Sequence, residues 1–374
     1  MSLFERWAAL IEGLQRQNCF RRLSAPAGVD FSSNDYLGYA RILKPDSQTM
    51  SRSGAASRLL RGHHSVWEQV ETTLAEWHGT EAALVLTSGY VANEGLLSTV
   101  IEAGDWAASD EFNHASIIDG LRLCRAEKYI YRHNDLNHLE DGLTNASRNR
   151  RPGRQLFVVT ESLFGMDGDV APLVELTHLA AKYDAHVIVD EAHATGCFGS
   201  TGGGWIDQLQ LRDCVLATIH TGGKALAVPG AYICGSTQLK ELLVNRCRHL
   251  IFTTALPPIV GSWWLETIDR VQLDIAGRAS LAENVRTFRT ALAQQGITAG
   301  GGHYVVPIFV GAEDDAMSAA SEIQAAGFDI RAIRPPTVPK GTSRLRVSIH
   351  ADHDAQTLQR AADVVALTLK RKTP

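Results

Sequence analysis

Between residues 45 and 230, short apolar runs alternate with helix-length amphipathic patterns, an order that predicts an α/β fold. The apolar runs are continuous rather than alternating, as strands buried on both faces of a mostly parallel sheet require. Chemically capable residues follow directly on those runs: Ser88, Glu161, Asp190, His193 and Lys224. Open α/β sheets bind their ligands at that carboxyl edge. The expected architecture is a mostly parallel central sheet with helices on both faces, followed by a small C-terminal α+β domain.

Taken in order, residues 1–25 read as an amphipathic helix with Trp7, Leu10, Ile11 and Leu14 on one face. Residues 31–38 form a turn-rich loop. Strands are expected at 82–86, 106–108, 156–159, 187–189, 215–219 and 231–234, where β-branched and other apolar residues run together. Helices are expected at 66–77, 91–99, 174–183 and 239–250, and a long helix carries Trp263, Trp264, Ile268 and Val271. The C-terminal part is expected to hold strands at 304–310 and 344–349 and helices at 316–326 and 355–370. The domain reading is therefore an N-terminal helix and arm over 1–45, a large α/β domain over 46–275 and a small α+β domain over 276–374.

Bulk properties narrow the function. A net charge of −5 gives no basic surface for nucleic acid. No apolar stretch approaches the ~20 residues of a membrane-spanning helix. The opening residues Met1-Ser2-Leu3-Phe4-Glu5-Arg6 lack the basic-then-apolar order of a signal peptide, so the expected location is the cytoplasm. Cys19, Cys124, Cys197, Cys214, Cys234 and Cys247 are scattered without zinc-site spacing, and no metal is expected.

Lys224 carries the sharpest signal. It lies in Thr221-Gly222-Gly223-Lys224, just past an apolar run, and Asp190-x-x-His193 ends another. A lone lysine after a strand is ordinarily a solvated amine, and a strand-end Asp ordinarily a cap. Together they supply a carboxylate for a pyridinium nitrogen and an amine for a Schiff base, the requirements of pyridoxal phosphate. Thr87-Ser88-Gly89-Tyr90 opens a helix after the first strand and offers backbone N–H groups to a phosphate, with the Thr221 hydroxyl as a further donor. His114, in Asn113-His114-Ala115-Ser116, either lies flat on an aromatic ring or caps the following helix. The glycines of 196–204 lack the dinucleotide pattern and read as a flexible loop beside the site.

Asp190-x-x-His193, the Lys224 segment, Asn113-His114-Ala115-Ser116 and Phe164-Gly165-Met166-Asp167-Gly168-Asp169 resemble the α-oxoamine synthases, over about residues 30–370. These are fold-type-I pyridoxal-phosphate enzymes that join an amino acid to an acyl thioester and release carbon dioxide. The resemblance implies that Lys224 holds the cofactor, that Asp190 pairs with its ring nitrogen, and that His193 bonds its ring hydroxyl. It also implies that His114 stacks on the ring, and that Ser88, Gly89, Tyr90 and Thr221 surround the phosphate. Glu161 belongs to the same expected set. Thr253 and Thr254 resemble residues that reach the phosphate from a neighbouring subunit, which implies a homodimer. Arg21, Asn34, Arg334 and Arg346 are the expected substrate-binding residues, although Arg334 read alone is also compatible with a surface loop arginine.

Residues 332–346, with Arg334-Pro335-Pro336, and residues 248–258 narrow the resemblance to the branch that uses L-alanine and a pimeloyl thioester, carried by CoA or by a carrier protein. Rival expectations are another branch, such as one making 2-amino-3-oxobutyrate, aminolevulinate or a sphingoid ketone, an aldolase of the same cofactor class, or an inactive partner subunit. Four departures stand out. Gly165 replaces an expected Ser, Ala194 and Ala227 replace expected glycines, and His220-Thr221-Gly222-Gly223 replaces the usual run before the lysine.

Overall fold

A computed structural model describes residues 12, 13, 15, 16, 28–33, 35–39 and 53–371. The expected helix over 1–25 therefore lies almost wholly outside the described residues, as do Arg21 and Asn34. The chain divides into two compact units. One comprises residues 34–165 and 170–279, the other residues 1–33, 166–169 and 280–374.

The first unit is built on a seven-stranded sheet. In spatial order its strands are Ala82–Leu86, Ala231–Gly235, Ala217–Thr221, Ala185–Asp190, Leu156–Glu161, Trp106–Asp110 and Glu127–Tyr131. Ala231–Gly235 runs antiparallel to both its neighbours and every other pairing is parallel. Side chains alternate between the two faces along each strand, which gives the sheet two cores. Phe157, Val159, Ile188 and Ile219 pack on one face with Leu96, Leu97, Ile117 and Leu121 from the helices Gly89–Val100 and Ala115–Leu123. Leu156, Val158, Val187 and Val189 pack on the other with Leu139, Leu143, Leu173 and Leu176 from Leu136–Arg148 and Leu173–Lys182. Both faces being covered is why these strands read as unbroken apolar runs.

Local signals set the element ends. The helix Ser65–His78 stops at Gly79, whose φ of 59° is left-handed and whose N–H bonds Ala75 and Glu76 carbonyls. Asp135 caps Leu136–Arg148 by accepting the His138 N–H at 2.9 Å. The expected helix over 239–250 is two pieces, Thr237–Arg246 and Arg248–Ile251, because Cys247 adopts an extended conformation between them. The strand Glu127–Tyr131 and the helices Leu136–Arg148 and Ile275–Gln294 were not anticipated.

The second unit holds an antiparallel sheet in the order Arg331–Ile333, Ser343–Ser348, Val305–Gly311, with the helices Glu313–Ala325 and Ala355–Lys370. The short strand Val29–Asp30 joins it by pairing in parallel with Phe328–Asp329. Residues 166–169 group here too: the Asp167 carboxylate pairs with the Arg344 guanidinium, and Gly168 lies against the Val305 carbonyl. Among the described residues no helix is long and apolar enough to cross a membrane.

Candidate active site

Parallel register puts the chemistry at one edge of the sheet. Glu161 and Asp190 are direct partners on adjacent strands, each the last residue of its strand. The strand Ala217–Thr221 ends beside them and leads into the loop that carries Lys224. That loop is pinned by Gly222 N–H to the Gly230 carbonyl at 2.9 Å, Val228 N–H to the Gly222 carbonyl at 2.9 Å, and Trp264 Nε1 to the Pro229 carbonyl at 3.1 Å. Gly222 is required there, because a side chain would meet the Val228 carbonyl at 2.3 Å and the Trp264 ring at 2.6 Å. Gly223 has nothing near its missing side chain, which leaves open space next to Lys224.

Asp190 is buried and its two oxygens are already oriented. Oδ1 accepts the Ala192 N–H at 2.8 Å and Oδ2 accepts from Asn93 Nδ2 at 2.7 Å. Glu161 Oε1 accepts the His114 N–H at 2.7 Å. Burial pushes the Glu161 carboxyl up to about 8, with the Asp190 charge adding to the rise, while Lys224 and the N–H groups of His114 and Gly165 oppose it. The His114 imidazole is held below its ordinary value by burial, against the pull of Asp190 and with that of Lys224. Lys224, Asp190, Glu161 and His114 therefore share one electrostatic neighbourhood.

His114 also does what the alternative reading foresaw. It caps the helix Ala115–Leu123, its Nδ1 accepting the Ser116 N–H at 3.3 Å. His114 is exposed, and its ring stands edge-on to Tyr90 at 6.0 Å. His193 Nδ1 lies 2.9 Å from the hydroxyl of the fully buried Tyr36. The departure at Gly165 has a steric reason here, since a side chain at that position would lie 2.2 Å from His193 Nε2.

Ser88 caps the helix Gly89–Val100 by accepting the Val91 N–H at 3.3 Å. The first N–H groups of a helix have no acceptor within it, so those of Gly89 and Tyr90 are free to meet an anion. Thr221 packs 3.4 Å from where a Gly89 side chain would begin, so its hydroxyl flanks that helix end. Thr253 is half-buried and Thr254 exposed; both line a cavity with Arg58, Trp67 and Val85. Arg334 and Arg346 belong to the other unit. Arg334 follows the strand Arg331–Ile333, and Arg346 is buried with its guanidinium 2.9 Å from Ser348 Oγ.

Three site residues escaped the sequence reading: Tyr36, Asn93 and Ser116. Asn93 is only 2% exposed, an amide on the inward face of a helix, and that burial pattern was the available signal. In the glycine loop Gly196, Gly199, Gly202 and Gly204 have positive φ, and Gly204 packs against the Glu191 carboxylate. His220 and Cys234, on the strands Ala217–Thr221 and Ala231–Gly235, gather with His78 so that their ligand atoms lie within 4.8 Å of one another. Their nitrogens are used in packing: both of His220 face threonine hydroxyls at 2.7 Å and His78 Nε2 faces Tyr232 Oη at 2.7 Å.

The edge thus combines an amine on a pinned loop, an oriented buried carboxylate, a pair of imidazoles and a helix N-terminus. The family model for aminotransferase class I and II matches residues 26–365, and the chain belongs to that family. An 8-amino-7-oxononanoate synthase from Chlorobaculum parvum is 40% identical over 361 residues, covering 93% of this chain and 91% of that protein. The protein of the same name from Geobacter sulfurreducens is 39% identical over 381 residues, covering 96% of each. Among solved structures, a serine palmitoyltransferase from S. paucimobilis holding a PLP–myriocin aldimine superposes with a TM-score of 0.89 at 26% identity, over 99% of both chains. The chain is a fold-type-I, pyridoxal-phosphate-dependent enzyme of the α-oxoamine synthase group.

Proposed function

We propose that this protein condenses L-alanine with a pimeloyl thioester, carried by CoA or a carrier protein, giving 8-amino-7-oxononanoate, carbon dioxide and the free thiol. The observation that carries the reading is the meeting of Lys224, Asp190 and Glu161 at one sheet edge, in a chain about 40% identical over most of its length to proteins of that name.

The residues fit pyridoxal phosphate. The helix end at Gly89 and Tyr90, flanked by the Thr221 hydroxyl, suits its phosphate. Asp190, fixed by Ala192 and Asn93, suits its ring nitrogen, and His193 its ring hydroxyl. When bound, the cofactor supplies an electron sink for negative charge at the amino acid's α-carbon.

The protein's own residues do the rest. Lys224 would anchor the cofactor through its amine and, with that amine freed, would take the amino acid's α-proton. Asp190 holds a proton at the ring nitrogen, because a carboxylate beside that nitrogen favours its charged form. Glu161 orients the His114 backbone and lies within the field of Lys224. His114 would face the cofactor ring and offer a proton near the thioester oxygen. Arg21, Asn34, Arg334 and Arg346 bind carboxylates of the substrates, for which a guanidinium gives a two-point grip. Thr253 and Thr254 reach the phosphate of a second copy, so the working form is a homodimer, in the cytoplasm.

The test is a product assay by mass spectrometry. With cofactor, L-alanine and pimeloyl-CoA or a pimeloyl carrier protein should give 8-amino-7-oxononanoate. L-Serine with palmitoyl-CoA, and glycine with acetyl-CoA, should give little product. Turnover confined to one of the latter pairs overturns the substrate assignment and favours another branch, such as glycine C-acetyltransferase.

A further inference from the structure

Two polar side chains, Asn93 and Ser116, link Asp190 to His114 in the first unit, and their donors and acceptors can be settled one by one. Asp190 Oδ2 only accepts, so the amide atom facing it at 2.7 Å is the Asn93 nitrogen. The second hydrogen of that nitrogen points to Ser116 Oγ at 3.0 Å. Ser116 Oγ therefore accepts from Asn93, and its single proton is directed to its other neighbour, His114 Nδ1, at 2.7 Å. The Ser116 backbone N–H points at the same Nδ1, at 3.3 Å. Two donors converge on Nδ1, so Nδ1 carries no hydrogen and the ring's proton sits on Nε2.

We propose that Asn93 and Ser116 are positioning residues that lock His114 as its Nε2–H tautomer and, through the same amide, fix the carboxylate of Asp190. The inference rests on the roles of Asp190 and His114 proposed above and adds the device that coordinates them. Ser116 is fully buried and Asn93 is 2% exposed, so solvent does not reach the two linking side chains, whereas His114 is exposed. One amide thereby orders two groups on different elements: the carboxylate at the end of the strand Ala185–Asp190 and the imidazole that caps the helix Ala115–Leu123. The consequence is that His114 presents an N–H, never a bare nitrogen, at its free edge. A proton donor is what a thioester oxygen gaining negative charge requires.

The discriminating variant is Asn93→Asp, which keeps the shape but replaces the donor facing Ser116 by an acceptor. Ser116 then gives its proton to residue 93, and His114 moves toward Nδ1 protonation. The readout is the tautomer itself, from two-bond proton–nitrogen correlation spectra of full-length protein carrying ¹⁵N-histidine, with His114 assigned by the signal lost in His114→Gln. Cofactor-free protein suffices, so the measurement stands apart from activity. Wild type should show Nε2–H; Asn93→Asp should shift toward Nδ1–H, and Ser116→Ala should give a mixture. With cofactor and substrates, Ser116→Ala should lower kcat about ten- to a hundredfold with little change in the KM for alanine. A merely structural network would leave the tautomer untouched. The proposal is overturned by an Nδ1–H ring in wild type, or by an unchanged tautomer in both Ser116→Ala and Asn93→Asp. If Asn93→Asp does not fold, Ser116→Ala alone decides by the same criterion. Failure of the cofactor to attach at Lys224 in wild type would instead sink the active-site reading and leave the tautomer result standing.

Discussion

Adding one methyl group at position 165 tests how His193 is held. A Cβ there lies 2.2 Å from His193 Nε2, 2.7 Å from Cε1 and 2.9 Å from Cδ2, so the whole ring edge must retreat. Reaching ordinary contact takes a displacement of about 1 Å, an overpacking that costs about 1–3 kcal/mol. The same movement breaks the 2.9 Å contact between His193 Nδ1 and the Tyr36 hydroxyl, which is fully buried. Losing that hydrogen bond adds about 0.5–1.5 kcal/mol, although partial relaxation makes the two terms less than additive. Gly165→Ala should therefore lose about 2–4 kcal/mol. The assay is the shift in urea midpoint of the cofactor-free protein, run as a cycle with His193→Ala. Removing the imidazole clears the space, so Gly165→Ala should cost less than about 1 kcal/mol in that background. Affinity for pyridoxal phosphate should fall with the single substitution. An unchanged midpoint in Gly165→Ala, or an equal loss in both backgrounds, refutes the packing argument.

Further expectations follow from the same unit. Glu71 is 3% exposed, accepts the Val85 N–H at 2.9 Å, and pairs with Arg58 and, at 2.8 Å, with Lys240. Glu71→Gln should cost about 3–5 kcal/mol by leaving the half-buried Arg58 without its carboxylate, measured as a loss of urea midpoint. Burial lowers the His78 imidazole from 6.5 to about 3, helped by Arg212. A depressed folded-state value means that the contribution is complete above pH 6.5 and declines as pH falls toward 3, by about 1.4 kcal/mol per unit. His78→Gln should flatten that acid limb in urea titrations run between pH 7 and 4. Ala227 occupies φ +50°, a left-handed conformation that costs a side chain about 1–2 kcal/mol, against about 0.5–1 kcal/mol for the entropy of glycine. Ala227→Gly should thus leave the melting temperature unchanged or raise it, and a clear drop would contradict the strain.

The sequence was most legible where both faces of a strand are buried. Leu156–Glu161 and Ala185–Asp190 announce themselves as apolar runs, and their ends announce Glu161 and Asp190. Glu127–Tyr131 was invisible because it is an edge strand, with Glu127, Lys128 and Ile130 exposed, so its pattern resembles a loop. Leu136–Arg148 was missed although Asp135 is a good cap, since its apolar face is narrow: Leu139, Leu143 and Ala146. The site splits the same way. Lys224 and Asp190 are chemically distinctive in any window, whereas Asn93 and Ser116 gain meaning only when two strands and two helices bring them within 3.0 Å. The glycine at 165 looked like a lost hydroxyl; only the fold shows that it makes room for a ring.

Attachment of the cofactor at Lys224 can be read directly. Wild-type protein loaded with pyridoxal phosphate, reduced with borohydride and digested, should yield one pyridoxyl-modified peptide, the one containing Lys224. Lys224→Ala should yield none and retain the fold by circular dichroism. Modification of a different lysine, or none in the loaded wild type, would contradict the account.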